Sequence, residues 1–475
     1  MMTATHVRLR PIELGCWFKM ITGLCLVIAA AGLPDGGAAA GEGNVTASAG
    51  PIVLTNSIYQ QWGGHSFSYL LQDERTLYYA GIYNEKKGKP WPNNAFIVGS
   101  HPLSRKPNSK SDRVAHATVI TDPNVQHFNI PQMFRDNRGY LHVIVGTTLP
   151  SGRHEIRYYR SAKPNDLSGL LDRSDRIEAG QIADYHTRMN VGVNQTGDRA
   201  VIVSLAWNTP GLMNNTLLVS FGTKVGDDFH FAAPRTYYMK MKSIFYPQVA
   251  CTDYGVVIVG HLYDKATKEK DLVTSLLVQI DWGGTVVNRM DLPHPNVPTG
   301  HFTTCDLRPM DPQDWSKLTI AQSIYSTEPG ITEGTEIYVY DAMTHELTRK
   351  NFLEGPENPG KFVVVDEHFS FFLNNPSHGK HCVWQGDILG GQQITNQPLA
   401  GGDIMALGHP SSTYNYLPNV LTGSVMDRDN LYFATDVKNP NDEAYSLVAY
   451  KLSVRQPPIS TNHPAGPVAA EAGGK

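Results

Sequence analysis

Apolar residues in this chain come in short bursts, mostly alternating with polar ones, and turn residues punctuate them. Such period-two runs bounded by Gly, Asp and Asn predict half-buried β-strands, and paired runs predict hairpins. "VQHFNIPQMFRDNRGYLHVIVG" (125–146) sets the pattern: a polar head, a first run, the turn "RDNRG", then a second run. The pattern recurs in "HSFSYLLQDERTLYYAGIY" (65–83), "HTRMNVGVNQTGDRAVIVSLAW" (186–207), "FYPQVACTDYGVVIVGHL" (245–262), "HFTTCDLRPMDPQDWSKLTIAQSIY" (301–325) and "NYLPNVLTGSVMDRDNLYFATDV" (415–437), and more weakly in "KFVVVDEHFSFFLNN" (361–375). The heads lie near 65, 127, 186, 246, 301, 361 and 415, so the repeat is 54 to 62 residues long.

A nearly constant period means equivalent units, and seven heads mean seven of them. Between the hairpins lie further strand-like runs at 155–161, 216–222, 272–282, 336–342 and 445–452. Long capped helical patterns are missing, and "NDLSGLLDR" (165–173) predicts one short turn of helix. All-β units of about four strands at this period predict a seven-bladed β-propeller, in which radial repetition protects the strand edges. The last copy supplies only three strands, so "PIVLTNSIY" (51–59) is expected to pair with 445–452 and close the ring. The propeller domain is then 51–454, and the Pro-, Ala- and Gly-rich 455–475 reads as a disordered tail.

The N-terminus departs from this pattern. Arg8, Arg10 and Lys19 precede the apolar run 20–33, and "GGAAAGEG" follows. This is the layout of a signal peptide over 1–40, cut after Ala40, and it predicts a secreted or periplasmic protein. The run is too short to span a bilayer, and no later stretch is long enough, so no membrane insertion of the mature chain is expected. Cys251, Cys305 and Cys382 remain beyond the leader, an odd number that cannot form a complete disulfide framework. Charged residues make up 18% of the chain and the net charge is −4 with no basic block, which argues against nucleic acid as a partner.

Because first hairpin strands of blades run innermost, the seven heads converge on the axis. His65, His127, Tyr185 with His186, Tyr246, His301, Lys361 and Tyr416 stand at or beside them. A His/Tyr ring at equivalent positions is hard to attribute to packing, which Val, Ile and Leu perform further along the same strands. His127 is therefore expected to be functional and to face solvent. Nucleophile-elbow, H-E-x-x-H, P-loop and dinucleotide motifs are absent from the sequence. Acidic residues are scattered; Asp122 and Asp184, just ahead of heads, are the best carboxylate candidates. His378, His381 and Cys382 are too closely spaced for a complete zinc site. No cofactor is assigned, and a structural metal is left open.

The stretches "TLYYAGIY", "VQHFNIPQMFRDNRGYLHVIVG" and "HEIRYYRSAKPNDLSGL" resemble the BNR-4-type seven-bladed propellers, a group similar to the ulvan lyases and related rhamnose–glucuronate-cleaving enzymes. The matching positions are His127, Asn129, Pro131, Gly139, Tyr140, Leu141, His142, Arg157, Tyr158, Arg160 and Ser161. The resemblance implies a polysaccharide lyase acting on uronate-containing polysaccharide by β-elimination. With the axial ring, this gives a candidate catalytic set of His127, Tyr185, Arg188 and Tyr246 and a candidate substrate-binding set of His65, Asn129, His142, His261, His301 and Tyr416. The chain departs from the family at two places. Thr147 stands near the position of a second histidine, with His154 displaced, and the Tyr246 hairpin ends in His261 with no Arg. A glycosidase on the same scaffold and a non-catalytic glycan-binding propeller are the alternatives.

Overall fold

The computed structural model describes residues 45–47, 52–58, 70–73, 75–83, 94–103, 116–178, 189–206, 216–238, 243–263, 275–292, 301–311, 314–325, 334–354, 360–366, 369–374, 382–391, 397–398, 415–416, 431–438 and 445–454. The expected leader (1–40) and tail (455–475) lie outside them.

The described residues form seven antiparallel sheets in chain order, the blades of a β-propeller. The innermost strands are Leu70–Gln72, His127–Phe128 continued by Gln132–Arg135, Asn190–Val193, Ser243–Thr252, His301–Asp311, Gly360–Asp366 and Asn415–Tyr416. Each blade then steps outward strand by strand. From blade 1 to blade 7 each innermost strand touches the next, which sets them side by side around an axis. The hairpin heads of the sequence are therefore the beginnings of the axial strands.

Blade 7 is closed by the N-terminal part of the chain. Ile52–Ile58 pairs antiparallel with Tyr445–Val454, matching Ile52 to Ala449 and Ile58 to Tyr445. Val45–Ala47 pairs further along the same strand, a second contribution that the sequence pattern did not suggest. Ile58 also bridges to Tyr83 of blade 1, and the Tyr79 hydroxyl donates to the Leu54 carbonyl at 2.8 Å.

The core consists of the seams between blades. In the second strand of blade 2, Leu141–Thr148, every residue is buried. Val143 and Val145 pack toward blade 1, while Ile144 packs toward Val191, Ile202 and Phe229 of blade 3. Similar seams join blades 3 and 4, 4 and 5, and 5 and 6. Strands with both faces covered read as continuous apolar runs, which is why "VVIVG" and "LHVIV" alternate so little.

The expected helical turn at 165–173 is instead a strand, Asp166–Asp172, the outer edge of blade 2. Its residues pair with Tyr159, Arg160 and Ser161, and Leu167 is buried in the blade 1–2 seam. Tertiary pairing overrides the weak local preference of so short a segment. Among the described residues, helical geometry follows only as a single turn at Ser174–Arg176. Among the described residues no helix is long and apolar enough to cross a membrane.

Candidate functional site

All seven innermost strands run the same way relative to the axis, so their first residues share one end of the propeller. The ends of the second strands and the beginnings of the third lie at that same end. His127 and His301 open their strands, and Tyr416 and Tyr246 lie near the beginnings of theirs. His261, in register with Phe245, lies near the matching end of the second strand of blade 4. Of these, side chains are described only for His127. His65, Tyr185, His186 and Arg188 lie outside the described residues, as does Asp184.

At blade 2 the geometry is explicit. His127 is paired across the sheet with Thr148, and Thr148 with His154 on the third strand. Residues aligned across neighbouring strands point to the same face. The three side chains therefore form one row, on the face turned toward blade 3. The Thr148 hydroxyl lies 3.0 Å from His127 Nε2 and 3.0 Å from His154 Nδ1. His154 is half-buried, and burial holds its pKa below the ordinary imidazole value, so the ring is neutral around pH 7. Burial of His127 corrects the expectation that it faces solvent: only 2% of it is exposed. Cross-strand pairing against Thr148, with Phe128 anchored in the blade 1–2 seam behind it, draws the ring inward.

The displaced histidine thus returns to the site. The turn Leu149–Arg153 reverses the chain, with Leu149 N–H donating to Arg153 C=O at 2.8 Å and Gly152 at φ +80°. It brings residue 154 back beside residue 148. The signal was present in "LPSGR", a Pro-x-Gly turn that fixes which residues face each other across it. Thr147, flagged by position, points to the opposite face and donates to the Glu155 carbonyl at 3.2 Å. On that face Glu155 lies between Arg153 (3.1 Å) and Arg157 (3.3 Å). Asn129, two residues beyond His127, packs against Gly146; its Oδ1 is buried with no hydrogen-bond partner among the described residues.

His142 does not belong to this site, contrary to the expectation that it binds substrate. It lies at the far end of Leu141–Thr148, six residues from the position that faces His127, or about 20 Å along a strand. Its side chain is wholly buried, stacked on Phe134 at 4.7 Å and edge-on to Phe229 of blade 3 at 5.0 Å. Nδ1 meets the Tyr158 hydroxyl at 2.8 Å, and that oxygen accepts from Phe229 N–H at 3.1 Å. On the other side Nε2 lies 3.5 Å from Asp136 Oδ2, which Lys224 of blade 3 contacts at 2.7 Å. Burial lowers the pKa of His142, with the attraction to Asp136 opposing it.

Tyr158 and Arg160 of the "R-Y-x-R-S" strand belong to the same seam, whereas Tyr159 packs toward blade 1. Arg160 bonds Asp228 of blade 3 at 2.6 Å, and Ser161 Oγ accepts from Leu141 N–H at 3.0 Å. His142, Tyr158 and Arg160, three of the residues that carry the family resemblance, tie blade 2 to blade 3.

Cys251 is a buried free thiol in the blade 3–4 seam, close against Gly192. Among the described residues no three His, Cys, Asp or Glu side chains are placed to hold a metal ion. His378 and His381 lie outside the described residues.

No family model matches the sequence, and no curated protein matches it. Solved structures do. One is the crystal structure of polysaccharide lyase Uly1, with a TM-score of 0.51 at 9% identity, covering 86% of this chain and 99% of that one. More distant are a protein of unknown function from Dyadobacter fermentans (TM-score 0.44, 11% identity, 88% and 100% covered) and an α-L-arabinanase from Penicillium chrysogenum (0.40, 10%, 68% and 92%). The likeness to the lyase structure runs over nearly all of that chain and concerns the fold: this chain is a seven-bladed β-propeller.

Proposed function

We propose that the protein is a secreted or periplasmic carbohydrate-active enzyme, a polysaccharide lyase that cleaves uronic-acid-containing glycans by β-elimination. The observation that carries this reading is the hydrogen-bonded row His127–Thr148–His154 at the end of the axis where the innermost strands begin. The similar fold of a polysaccharide lyase supports it.

Elimination removes the proton at C5, breaks the C4–O bond, forms the C4=C5 double bond and protonates the leaving oxygen. The C5 proton is very weakly acidic until the neighbouring carboxylate is neutralised. The His127/His154 pair supplies the base, and burial holds the His154 pKa below the ordinary imidazole value. Tyr185 or Tyr246 serves the leaving oxygen, and Arg188 or His261 holds the carboxylate. His65, Asn129, His301 and Tyr416 line the glycan path.

The test is to incubate the purified protein with uronate-rich polysaccharides, following both the ultraviolet absorbance of unsaturated uronates and new reducing ends. A lyase raises both together. His127→Ala is expected to lower turnover by about 10²–10⁴-fold. Reducing ends without the chromophore would replace the lyase by a glycosidase. Neither signal, with glycan binding retained in calorimetry, would leave a non-catalytic glycan-binding propeller.

A further inference from the structure

Thr148 sits between two imidazoles and has a single hydroxyl hydrogen. Both contacts are 3.0 Å, well inside hydrogen-bond range. A hydroxyl can donate to only one of them, so at least one ring must present its own N–H to the threonine oxygen. His127 turns its Nε2 to Thr148 and His154 turns its Nδ1. Two neutral arrangements link the rings through the hydroxyl hydrogen; in a third, both rings donate to the oxygen and its hydrogen points elsewhere. In the first, His127 Nε2–H donates to Thr148, Thr148 donates to His154 Nδ1, and the His154 proton stays on Nε2. In the second, His154 Nδ1–H donates to Thr148, Thr148 donates to His127 Nε2, and His154 Nε2 carries a lone pair.

The two rings differ in exposure. His127 is 2% exposed, whereas His154 is only partly covered. A substrate proton therefore meets His154 first, and its Nε2 is an acid in one arrangement and a base in the other. Charging both rings at once is disfavoured: two 3.0 Å contacts through one oxygen hold the facing nitrogens within about 6 Å, where like charges repel.

We propose that Thr148 is a proton-relay residue that couples the tautomers of His127 and His154, making His127 the buried reservoir for the acid–base ring His154. This rests on the lyase reading for its use, though not for its existence. In the elimination, His154 Nε2 takes the C5 proton while its Nδ1 proton passes to the Thr148 oxygen. The Thr148 hydrogen passes to His127 Nε2, which becomes an imidazolium, and the reverse movement returns the proton through His154 Nε2 to the tyrosinate left when Tyr185 or Tyr246 has protonated the leaving oxygen. No proton is gained or lost by the three residues over the cycle, and no outside reductant or oxidant enters.

The experiment uses ¹⁵N-histidine-labelled full-length protein without substrate, comparing wild type with Thr148→Val, Thr148→Ser and His154→Gln. Nitrogen shifts of the wild type are expected to show complementary proton occupancy on the two Thr148-facing nitrogens. Thr148→Val, nearly the same in shape, is expected to uncouple them, and Thr148→Ser to restore the coupling. His154→Gln is expected to change the proton position on His127 with Thr148 intact. In turnover on a uronate glycan, Thr148→Val is expected to lower kcat about 10-fold or more with little change in KM. Unchanged ring tautomers in Thr148→Val, or Thr148→Ser failing as Thr148→Val does, would overturn the relay. Coupled spectra with no unsaturated product from any uronate glycan would uphold the relay and remove the lyase reading.

Discussion

Asp136 offers a sharp energetic test of the seam between blades 2 and 3. Its side chain is fully buried. Oδ1 accepts from Arg138 N–H at 2.9 Å and Tyr140 N–H at 2.8 Å, holding the hairpin turn whose Gly139 sits at φ +87°. Oδ2 faces Lys224 at 2.7 Å and His142 at 3.5 Å. Burial alone would raise the pKa of this carboxyl; the attractions of His142 and Lys224 outweigh it and bring it down from 3.8 to about 2. A shift of nearly two units corresponds to about 2–3 kcal/mol favouring the folded, ionised form.

Asp136→Asn keeps an oxygen for the two backbone donors and removes the charge. It leaves Lys224, whose side chain is 10% exposed, without its counter-ion. Breaking a buried pair on one side typically costs about 3–5 kcal/mol, so a loss of about 3 kcal/mol is expected at pH 7. The assay is urea unfolding followed by tryptophan fluorescence, with Lys224→Met added to the Asn variant. Removing the stranded cation is expected to recover about half the loss. The pH dependence has a definite sign. A depressed carboxyl pKa contributes stability that is complete above about pH 5 and is lost as the pH falls toward 2. The gap between wild type and Asp136→Asn is therefore expected to narrow over that window. A gap below about 1 kcal/mol at pH 7, or one that is the same at pH 2.5, would refute the reasoning.

Deleting residues 45–58 takes away the closing strands of blade 7; it exposes the partners of Leu54 and Ile58 and strips the Tyr79 hydroxyl of its acceptor. Two buried aliphatic side chains at about 1.5–3 kcal/mol each, with one orphaned buried hydroxyl, approach the whole stability of a typical domain. The deletion is expected to abolish a cooperative melting transition, and an unchanged melting curve would contradict closure at this blade. Cys251, its thiol pKa pushed up by complete burial, is expected to resist an aromatic disulfide reagent in the native protein and to react once urea unfolds the seam; rapid native reaction would contradict its placement.

The fold was largely legible because its repeat is periodic and its turns are chemically marked. "RDNRG", "NQTGD" and "TDYG" each predicted a hairpin that the structure contains. The incomplete seventh repeat pointed to the closing strand for a simple reason: a three-stranded blade leaves room for a fourth strand, which the N-terminal segment fills. The site was harder to read. His127 and His142 looked alike in sequence, both polar residues flanking one hairpin. Yet strand pairing puts one beside Thr148 at the axial end and the other against Phe134 and Phe229 in a seam. Only register separates them. His154 is displaced from the family's second-histidine position in sequence, although the turn at 149–153 makes it a neighbour of His127 through one hydroxyl. Tyr158 and Arg160 occupy family-pattern positions for a mechanical reason, since they bond Phe229 and Asp228 of blade 3.

Ring closure by the first strand has a consequence for synthesis. Ile52 waits for a partner that begins at Tyr445, 393 residues later. At about 5–20 residues per second, ribosomes need roughly 20–80 s to make that partner. Throughout this interval "IVLTNSI", uncharged and rich in β-branched residues, has its ladder groups open. Such a segment is a ready template for a neighbouring nascent chain. The blades between can form hairpin by hairpin as they emerge, but the last bond of the ring has the longest loop to close. Until the ring closes, these seven residues depend on whatever shields them for about a minute.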